Sequence, residues 1–542
     1  MSAGRVRIAA ALALLLLLAI GADARAEEAS QTLDRNLIVL RTWLAGAGLG
    51  VLVWGSWLGR SGRPPRWIRS RRVALGLLAV LSFCANYNFF FSTGIHKHEF
   101  FHYYLGAKFA PELGYYEIYR CSVAAAFEQG FQERDPLFQV TDLRNNDTRM
   151  FWVIVPRSPR CDGAFSPPRW EAFKTDVARF REILGPEWRR VLLDHGYNPT
   201  PIWTLIGRPF AWLFPVEMSS LWILGRLDLA LVLILLAAIG WAFGFEAACI
   251  AAIAWGANPH TRYQWIGDAF LRNVWLSTSM LGLCLLRRGR YRGAGALLTL
   301  SSLLRIFPAL FVFGYVLRQL RLWLRSGSLD PGFRRFSVTA LITGLVLVIG
   351  AAAAAGRGPG VYLEFSRRIS ALNAFVPDNG FGLRHLLSYT SERPKPELID
   401  GVRTFRIQSV QKLRSEALAG RRVLYFGAMA GFLALFWRAS RTAQDWEAAA
   451  MGAALIPVLT MPASYYLSFV LATAMLATRR PRIGIELMVA LVGWNLAFQL
   501  YPGITKAHLL SSAIGLVFFL IVLLEMQREP AARSPYQGRA VA

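Results

Sequence analysis

Runs of apolar residues long enough to cross a bilayer recur along the chain: Asn36–Trp57, Val73–Thr93, Leu221–Phe243, Ala269–Leu286, Val338–Ala355, Val423–Trp437, Ile483–Leu500 and Leu509–Leu524. Hydrocarbon offers no partner to a backbone N–H or C=O, so such runs must satisfy those groups internally, as helices. Fewer than one residue in five is charged (17%) and 54% are apolar, a balance that excludes an ordinary soluble domain. The expected class is an all-α, polytopic integral membrane protein.

Three further apolar stretches are shorter or interrupted: Ala247–Ala257, Gly293–Leu317 and Ala448–Ala477. The second is broken by Leu304-Arg305-Ile306-Phe307-Pro308 and the third by Met461-Pro462-Ala463-Ser464-Tyr465-Tyr466. Non-helical backbone at membrane depth survives only where protein or water covers it, so each break is a candidate lining for a cavity. Each broken stretch reads as a pair of short helices, with a single kinked helix as the alternative. Counting them as two crossings each gives about 11–13 spans.

The net charge of +26 would suit nucleic acid, but the basic residues lie between the apolar runs and form no basic domain. Arg60, Arg63, Arg66, Arg69, Arg71 and Arg72 cluster after the first run; Arg287, Arg288, Arg290 and Arg292 after another. Arg318, Arg321, Arg325, Arg334 and Arg335 form a third group, and Arg479, Arg480 and Arg482 a fourth. If the spans alternate, all four fall on one side, which the positive-inside rule makes the cytoplasm. This predicts a multi-pass protein of a bacterial inner membrane with a cytoplasmic C-terminus. Membrane lipids are then its surroundings, and no nucleic-acid partner is expected.

The domain plan follows. Arg5 and Arg7 precede the apolar run Ile8–Ile20, and Ala24-Arg25-Ala26 closes it, so residues 1–26 read as a signal peptide or an uncleaved signal anchor. Residues 27–93 hold the first spans and their Arg-rich loop. Residues 94–200 form a large periplasmic loop. A multi-span domain covers 201–526, with a second outer loop at 356–422. The tail 527–542 is polar and expected to be disordered. Of five cysteines, Cys121 and Cys161 share the large loop and can pair if it is periplasmic, while Cys84, Cys249 and Cys284 lie in apolar runs. Arg226 and Asp228 put opposite charges inside one apolar run, either as a structural pair or as a cavity lining.

The densest chemistry follows the second run, in His96-Lys97-His98-Glu99-Phe100-Phe101-His102-Tyr103-Tyr104-Leu105-Gly106-Ala107-Lys108, continuing to Tyr119. A carboxylate in a partly dry cleft can have its pKa moved toward working pH and act as a base. The Tyr-rich stretch Tyr103–Tyr119 reads as one amphipathic helix near the surface with a turn at Gly114.

Glu99, Tyr103, Gly106-Ala107, Gly114 and Tyr119 resemble the first outer loop of GT-C glycosyltransferases, and more narrowly the polyprenol-phosphate-mannose-dependent mannosyltransferases. That family usually has Asp where this chain has Glu99. The stretch Asp194–Pro201, with Asn198, is similar to the family's Tyr-x-Pro element. Gly267-Asp268 is similar to its Gly-Gln opening of a span, and Ala294–Pro308 to its Gly-rich helix ending in a basic residue and proline. Asp378–Gly382, with Asn379, falls where the family has an Asn-rich outer loop, and Pro462-x-x-Tyr465-Tyr466 resembles its late Pro-x-x-aromatic break.

The resemblance implies transfer of a sugar, usually mannose, from a polyprenyl-phosphate donor to a lipid, glycan or protein acceptor, with inversion. Glu99 would be the general base. Arg305 would meet the leaving phosphate, for which a guanidinium is suited by its paired donors. Lys108 or Arg384 would assist. His98, His102, Tyr103, Tyr104, Asn198, Asp268, Asn379, Tyr465 and Tyr466 are the candidate substrate-binding residues. A divalent metal could take part, though the resemblance does not require one.

Two other functions fit parts of the sequence. His98-Glu99-Phe100-Phe101-His102 is a literal His-Glu-x-x-His, so a zinc peptidase with His98 and His102 as ligands and Asp378 as third donor is one. A transporter is the other, from the broken runs and Arg305, although no inverted repeat is visible. The plainest reading makes Glu99 and its neighbours an interfacial belt.

Overall fold

The computed structural model describes residues 26–528 except 62–64, 91–93, 133–137, 155–158, 400–401, 405–406 and 502. The expected signal segment lies almost wholly outside the described residues, as does the tail beyond Arg528. The fold is all-helical, with two short antiparallel hairpins, Gln139–Asp142 with Asp147–Met150 and Glu397–Ile399 with Val402–Thr404.

In chain order the helices that matter are α1 (Ala26–Ser61), α2 (Pro65–Asn86), α3 (Lys97–Lys108), α4 (Ile118–Glu128), α5 (Pro167–Leu184), α6 (Pro201–Leu213), α7 (Met218–Phe243) and α8 (Phe245–Gly256). They continue with α9 (Val274–Arg287), α10 (Tyr291–Leu304), α11 (Ala309–Ser326), α12 (Pro331–Ala354), α13 (Gly360–Ala374) and α14 (Leu383–Leu387). The last are α15 (Ile407–Gly420), α16 (Arg422–Ala439), α17 (Asp445–Met451), α18 (Leu471–Leu476), α19 (Pro481–Leu500) and α20 (Ile504–Glu525).

Among the described residues five helices are long and apolar enough to cross a membrane: Asn36–Leu58 within α1, then α7, α12, α19 and α20. The pair α15 and α16, bent by 67° at its junction, would make a sixth. Helix α12 shows why these elements belong in lipid. Val338, Leu341, Ile342, Leu345, Val346 and Ile349 are all more than half exposed along it, an apolar face no soluble protein would leave in water.

Two expected spans differ. In the run Val73–Thr93 the α-helix ends at Asn86, a 3-10 turn follows at Asn88–Phe90, and the helix begins early, at Pro65, bringing in Arg66, Arg69, Arg71 and Arg72. The run Ala269–Leu286 yields a helix only from Val274. Asp268 and Leu271 sit at φ 40° and 53°, outside the helical region, so the backbone turns there. The Asp228 carboxylate then receives the Asn273 backbone N–H at 2.7 Å and its side-chain amide at 2.6 Å, taking up a donor at the start of α9. Arg226 reaches Asp268 instead, at 3.3 Å, so Arg226 and Asp228 do not pair with each other.

Both expected breaks are present. The chain leaves helix between α10 and α11 at Arg305–Pro308, and again between Leu459 and Ser464. In the segment 94–200, Phe100, Phe101, Tyr104, Phe109, Phe173, Phe180 and Trp188 are buried in a core shared with the rest of the chain, Phe100 stacking on Phe270 at 5.4 Å, and Cys121 is bonded to Cys161 with Cα atoms 5.5 Å apart. Tyr103–Tyr119 is not one surface helix: α3 ends at Lys108, a short helix Ala110–Leu113 follows, and α4 begins at Ile118. Tyr104, Tyr115 and Tyr119 are buried in packed protein, which leaves them no exposed ring to anchor in lipid.

The segments 94–200 and 356–422 meet. Arg368 of α13 donates to the carbonyls of Leu143 (2.5 Å) and His195 (2.7 Å) and to Asn146 Oδ1 (2.6 Å). Glu364 accepts the Tyr115 backbone N–H at 2.8 Å, close to Gly114, where a Cβ would collide with that carboxylate.

Candidate functional site

Helix α3 positions the site. Its N-terminus is held by the His96 ring, which accepts the Glu99 N–H at 3.2 Å, and its middle packs on α6 and α5. Gly106 lets the Tyr197 ring lie against the helix backbone, since a Cβ there would strike it. Positions 99 and 103 are one turn apart and share one face; positions 98 and 102 share the adjacent face.

On the first face Glu99 stands buried, with Arg272 Nη2 2.9 Å from its Oε2. Both carboxylate oxygens are enclosed, and among the described residues neither accepts a hydrogen bond. Burial raises the Glu99 carboxyl above its ordinary range, opposed by the positive fields of Arg272, Arg305 and His98. The Arg272 guanidinium lies 4.7 Å over the Tyr465 ring and donates to the Trp265 carbonyl, which fixes it against the carboxylate.

One turn on, Tyr103 receives a hydrogen bond from Arg305 Nη2 at 2.8 Å and donates to Asn198 Oδ1 at 3.2 Å. Arg305 also lies 5.3 Å from the centre of the Tyr466 ring. The break that carries Arg305 is tied to the segment 94–200 by Thr200, whose hydroxyl donates to the Leu303 carbonyl at 2.5 Å. The second break is held by backbone pairing: Ser464 N–H to Asn379 O at 2.7 Å and Phe381 N–H to Pro462 O at 2.9 Å. Tyr103, Trp203, Phe270, Arg272, Trp275 and Arg305 are among the residues lining a small cleft.

The structure thus brings Glu99, Tyr103, Asn198, Arg305, Tyr465 and Tyr466 together, and attaches Asn379 to the tyrosine break through its backbone. Other expected residues lie elsewhere. Lys108 pairs with Asp176 at 2.6 Å, since it faces α5. Tyr104 is turned by one residue from Tyr103 and donates to the Phe214 carbonyl at 2.6 Å. Asp268 is spent on Arg226 and on the Tyr263 hydroxyl (2.8 Å). Arg384 sits on α14, which packs chiefly on α20 and the turn Ile456–Leu459. Arg272, not singled out from the sequence, is the nearest cation to Glu99. A charged residue inside the run Ala269–Leu286 was the signal that marked it.

On the second face His98 Nε2 is 2.7 Å from Asp194 Oδ2, and His102 Nε2 is 2.7 Å from the Tyr119 hydroxyl. Burial lowers His102 to about 4, so its ring is neutral. Burial alone would raise the Asp194 carboxyl, but the His98 hydrogen bond and the fields of His102 and His98 outweigh it and hold it below the usual range. Asp378, the expected third donor to these histidines, is bonded to Arg414 (2.5 Å) and Thr505 (3.3 Å) instead; the carboxylate beside them is Asp194. Comparison with family models, with characterised proteins and with solved structures returns no match to this chain.

Proposed function

We propose that this chain is a membrane glycosyltransferase of GT-C type, which moves a sugar from a polyprenyl-phosphate carrier to an acceptor hydroxyl at the outer face of a bacterial inner membrane. The observation that carries the reading is the Glu99 carboxylate, buried without a hydrogen bond and flanked by Arg272 and the Arg305–Tyr103 pair.

A buried carboxylate with free lone pairs has room for one proton donor. In this reading the donor is the acceptor's hydroxyl. Glu99 takes its proton as the oxygen attacks the anomeric carbon from the side opposite the lipid phosphate. The bond from that carbon to the phosphate oxygen breaks, and the electron pair leaves with polyprenyl phosphate. Inversion follows from the opposite-side attack. Arg305 is the cation for the growing negative charge on that phosphate, and its hydrogen bond to Tyr103 aims it. The rings of Tyr103, Trp203 and Trp275 line the cleft beside Arg305.

This function adds finer features to the fold. The short apolar helices α8, α9 and Ser464–Leu476 count as crossing or re-entrant elements beside the five long ones, toward about a dozen. The joined segments 94–200 and 356–422 lie in the periplasm, where the Cys121–Cys161 bond would persist. Mannose is the sugar the resemblance favours.

The test is Glu99→Gln. It preserves shape and removes the base, so transfer to acceptor should fall by about 10²-fold or more while the protein stays folded. Transfer at a near wild-type rate would mean that Glu99 is not the base.

A further inference from the structure

The second face of α3 carries chemistry that sugar transfer does not use. One ligand atom from each of His98, His102 and Asp194 lies within 4.8 Å of the others, although Asp194 is far from the histidines in sequence. The two imidazole rings are 5.0 Å apart between centres. We propose that His98, His102 and Asp194 bind one divalent transition metal of the zinc class, which clamps α3 to the segment 194–198.

The donor set suits such an ion. Two imidazoles and one carboxylate are ligands for borderline-soft cations, with bonds near 2.0–2.2 Å and ligand-to-ligand edges of about 3.3 Å in a tetrahedral site. Closing 4.8 Å to that edge takes about 1 Å of side-chain movement at each of two residues. The side chains of His98 and Asp194 are 33% and 42% exposed, which leaves a path for the ion and room for a water as fourth ligand.

Tyr119 completes the surroundings. Its hydroxyl accepts the Gly196 N–H at 2.9 Å while facing His102 Nε2, so it can turn its proton aside when the nitrogen binds metal. A metal here would fix Asp194 and Gly196 against α3. Asn198, two residues on from Gly196, is the acceptor for Tyr103. The ion would therefore hold the strand that sets the Arg305–Tyr103–Asn198 chain.

This differs from a His-Glu-x-x-His peptidase centre. There the glutamate activates metal-bound water. Here Glu99 lies on the other face and is paired to Arg272, so the metal has a positioning task. The other group of suitable donors, Glu117 with Cys121 and Cys161, is consumed by the disulfide.

The experiment uses the full chain in detergent, stripped with a chelator and titrated with Zn²⁺ alone by calorimetry, and in parallel with Co²⁺ by visible absorption. The expected result is saturable binding of one ion per chain, with cobalt bands of a low-symmetry site. Asp194→Ala and His102→Gln should each weaken binding by about tenfold or more, and Glu99→Gln should not. If His102→Gln fails to fold, the half-exposed His98→Ala takes its place with the same expectation. No saturable binding to folded wild-type protein overturns the proposal. So does binding unchanged in Asp194→Ala, and so does equal weakening by Glu99→Gln, which would move the ion to the catalytic face.

Discussion

The Glu99 carboxylate, buried, and the Arg272 guanidinium, partly buried, stand 2.9 Å apart, and each arrives from a different part of the chain. Glu99 comes from the first turn of α3. Arg272 comes from the irregular segment ahead of α9, where Asp268 and Leu271 turn the backbone. The positive field of Arg272 opposes the burial that raises the Glu99 carboxyl, and among the described residues neither carboxylate oxygen accepts a hydrogen bond.

Arg272→Ala should be damaging beyond the loss of one contact. Removing one partner of a buried ion pair costs about 3–5 kcal/mol, because the other charge stays enclosed. Thermal unfolding should show a large drop for Arg272→Ala, and the double variant Arg272→Ala with Glu99→Gln should regain part of it. A double variant as unstable as the single one would show that Arg272 supports the fold by its packing on Tyr465 alone.

The pH dependence of transfer has a definite sign. Glu99 must be deprotonated to act, and burial raises its carboxyl. The rate should therefore fall on acidification through a limb lying above the usual glutamate value of about 4.3. The measurement is the pH profile of kcat/KM, and Glu99→Gln should abolish the limb along with the activity. A limb that persists in the residual activity would belong to another group.

Arg305→Ala should weaken use of the donor more than use of the acceptor, since its partner in the reaction is the lipid phosphate. Loss of a charge-assisted phosphate contact is worth about 1.5–3 kcal/mol, or roughly 10- to 150-fold in donor kcat/KM. Equal losses on donor and acceptor, with lower expression, would make Arg305 a structural residue.

The Cys121–Cys161 bond ties α4 to the short helix Pro159–Ala164 within the segment 94–200. Replacing either cysteine with serine should lower stability by about 2–5 kcal/mol, read as a lower unfolding temperature, with no change when the reductant concentration is varied in the variant. Wild-type protein that unfolds at one temperature with and without reductant would contradict a stabilising bond.

Much of this arrangement was legible in the sequence where the pattern was broken rather than where it was regular. Arg305-Ile306-Phe307-Pro308 and Pro462–Tyr466 interrupt apolar runs; the first brings Arg305 to the cleft, and the second sets Tyr465 and Tyr466 against Arg272 and Arg305. Glu99, Tyr103 and Asn198 were visible as polar residues in an aromatic setting. Sequence spacing could not separate Tyr103 from Tyr104, which differ by about 100° round the helix and so face different partners. Nor could it assign Asp268 to Arg226, or Lys108 to Asp176, because those choices depend on helix packing. Arg272 was hidden inside an apolar run whose true helix starts only at Val274, a boundary set by Asp228 from α7. Asp194 was read with the loop before α6, and only the fold brings it beside His98.

The most direct test of the central claim is donor consumption. Purified protein in lipid nanodiscs would be given a polyprenyl-phosphate sugar, mannose first, and the release of free polyprenyl phosphate followed with wild-type chain and with Glu99→Gln. The account predicts acceptor-dependent release by the wild-type chain and its loss in the folded variant. Equal release by both, or no release from any polyprenyl-phosphate sugar by folded wild-type protein with lipid, glycan and protein acceptors, would contradict it.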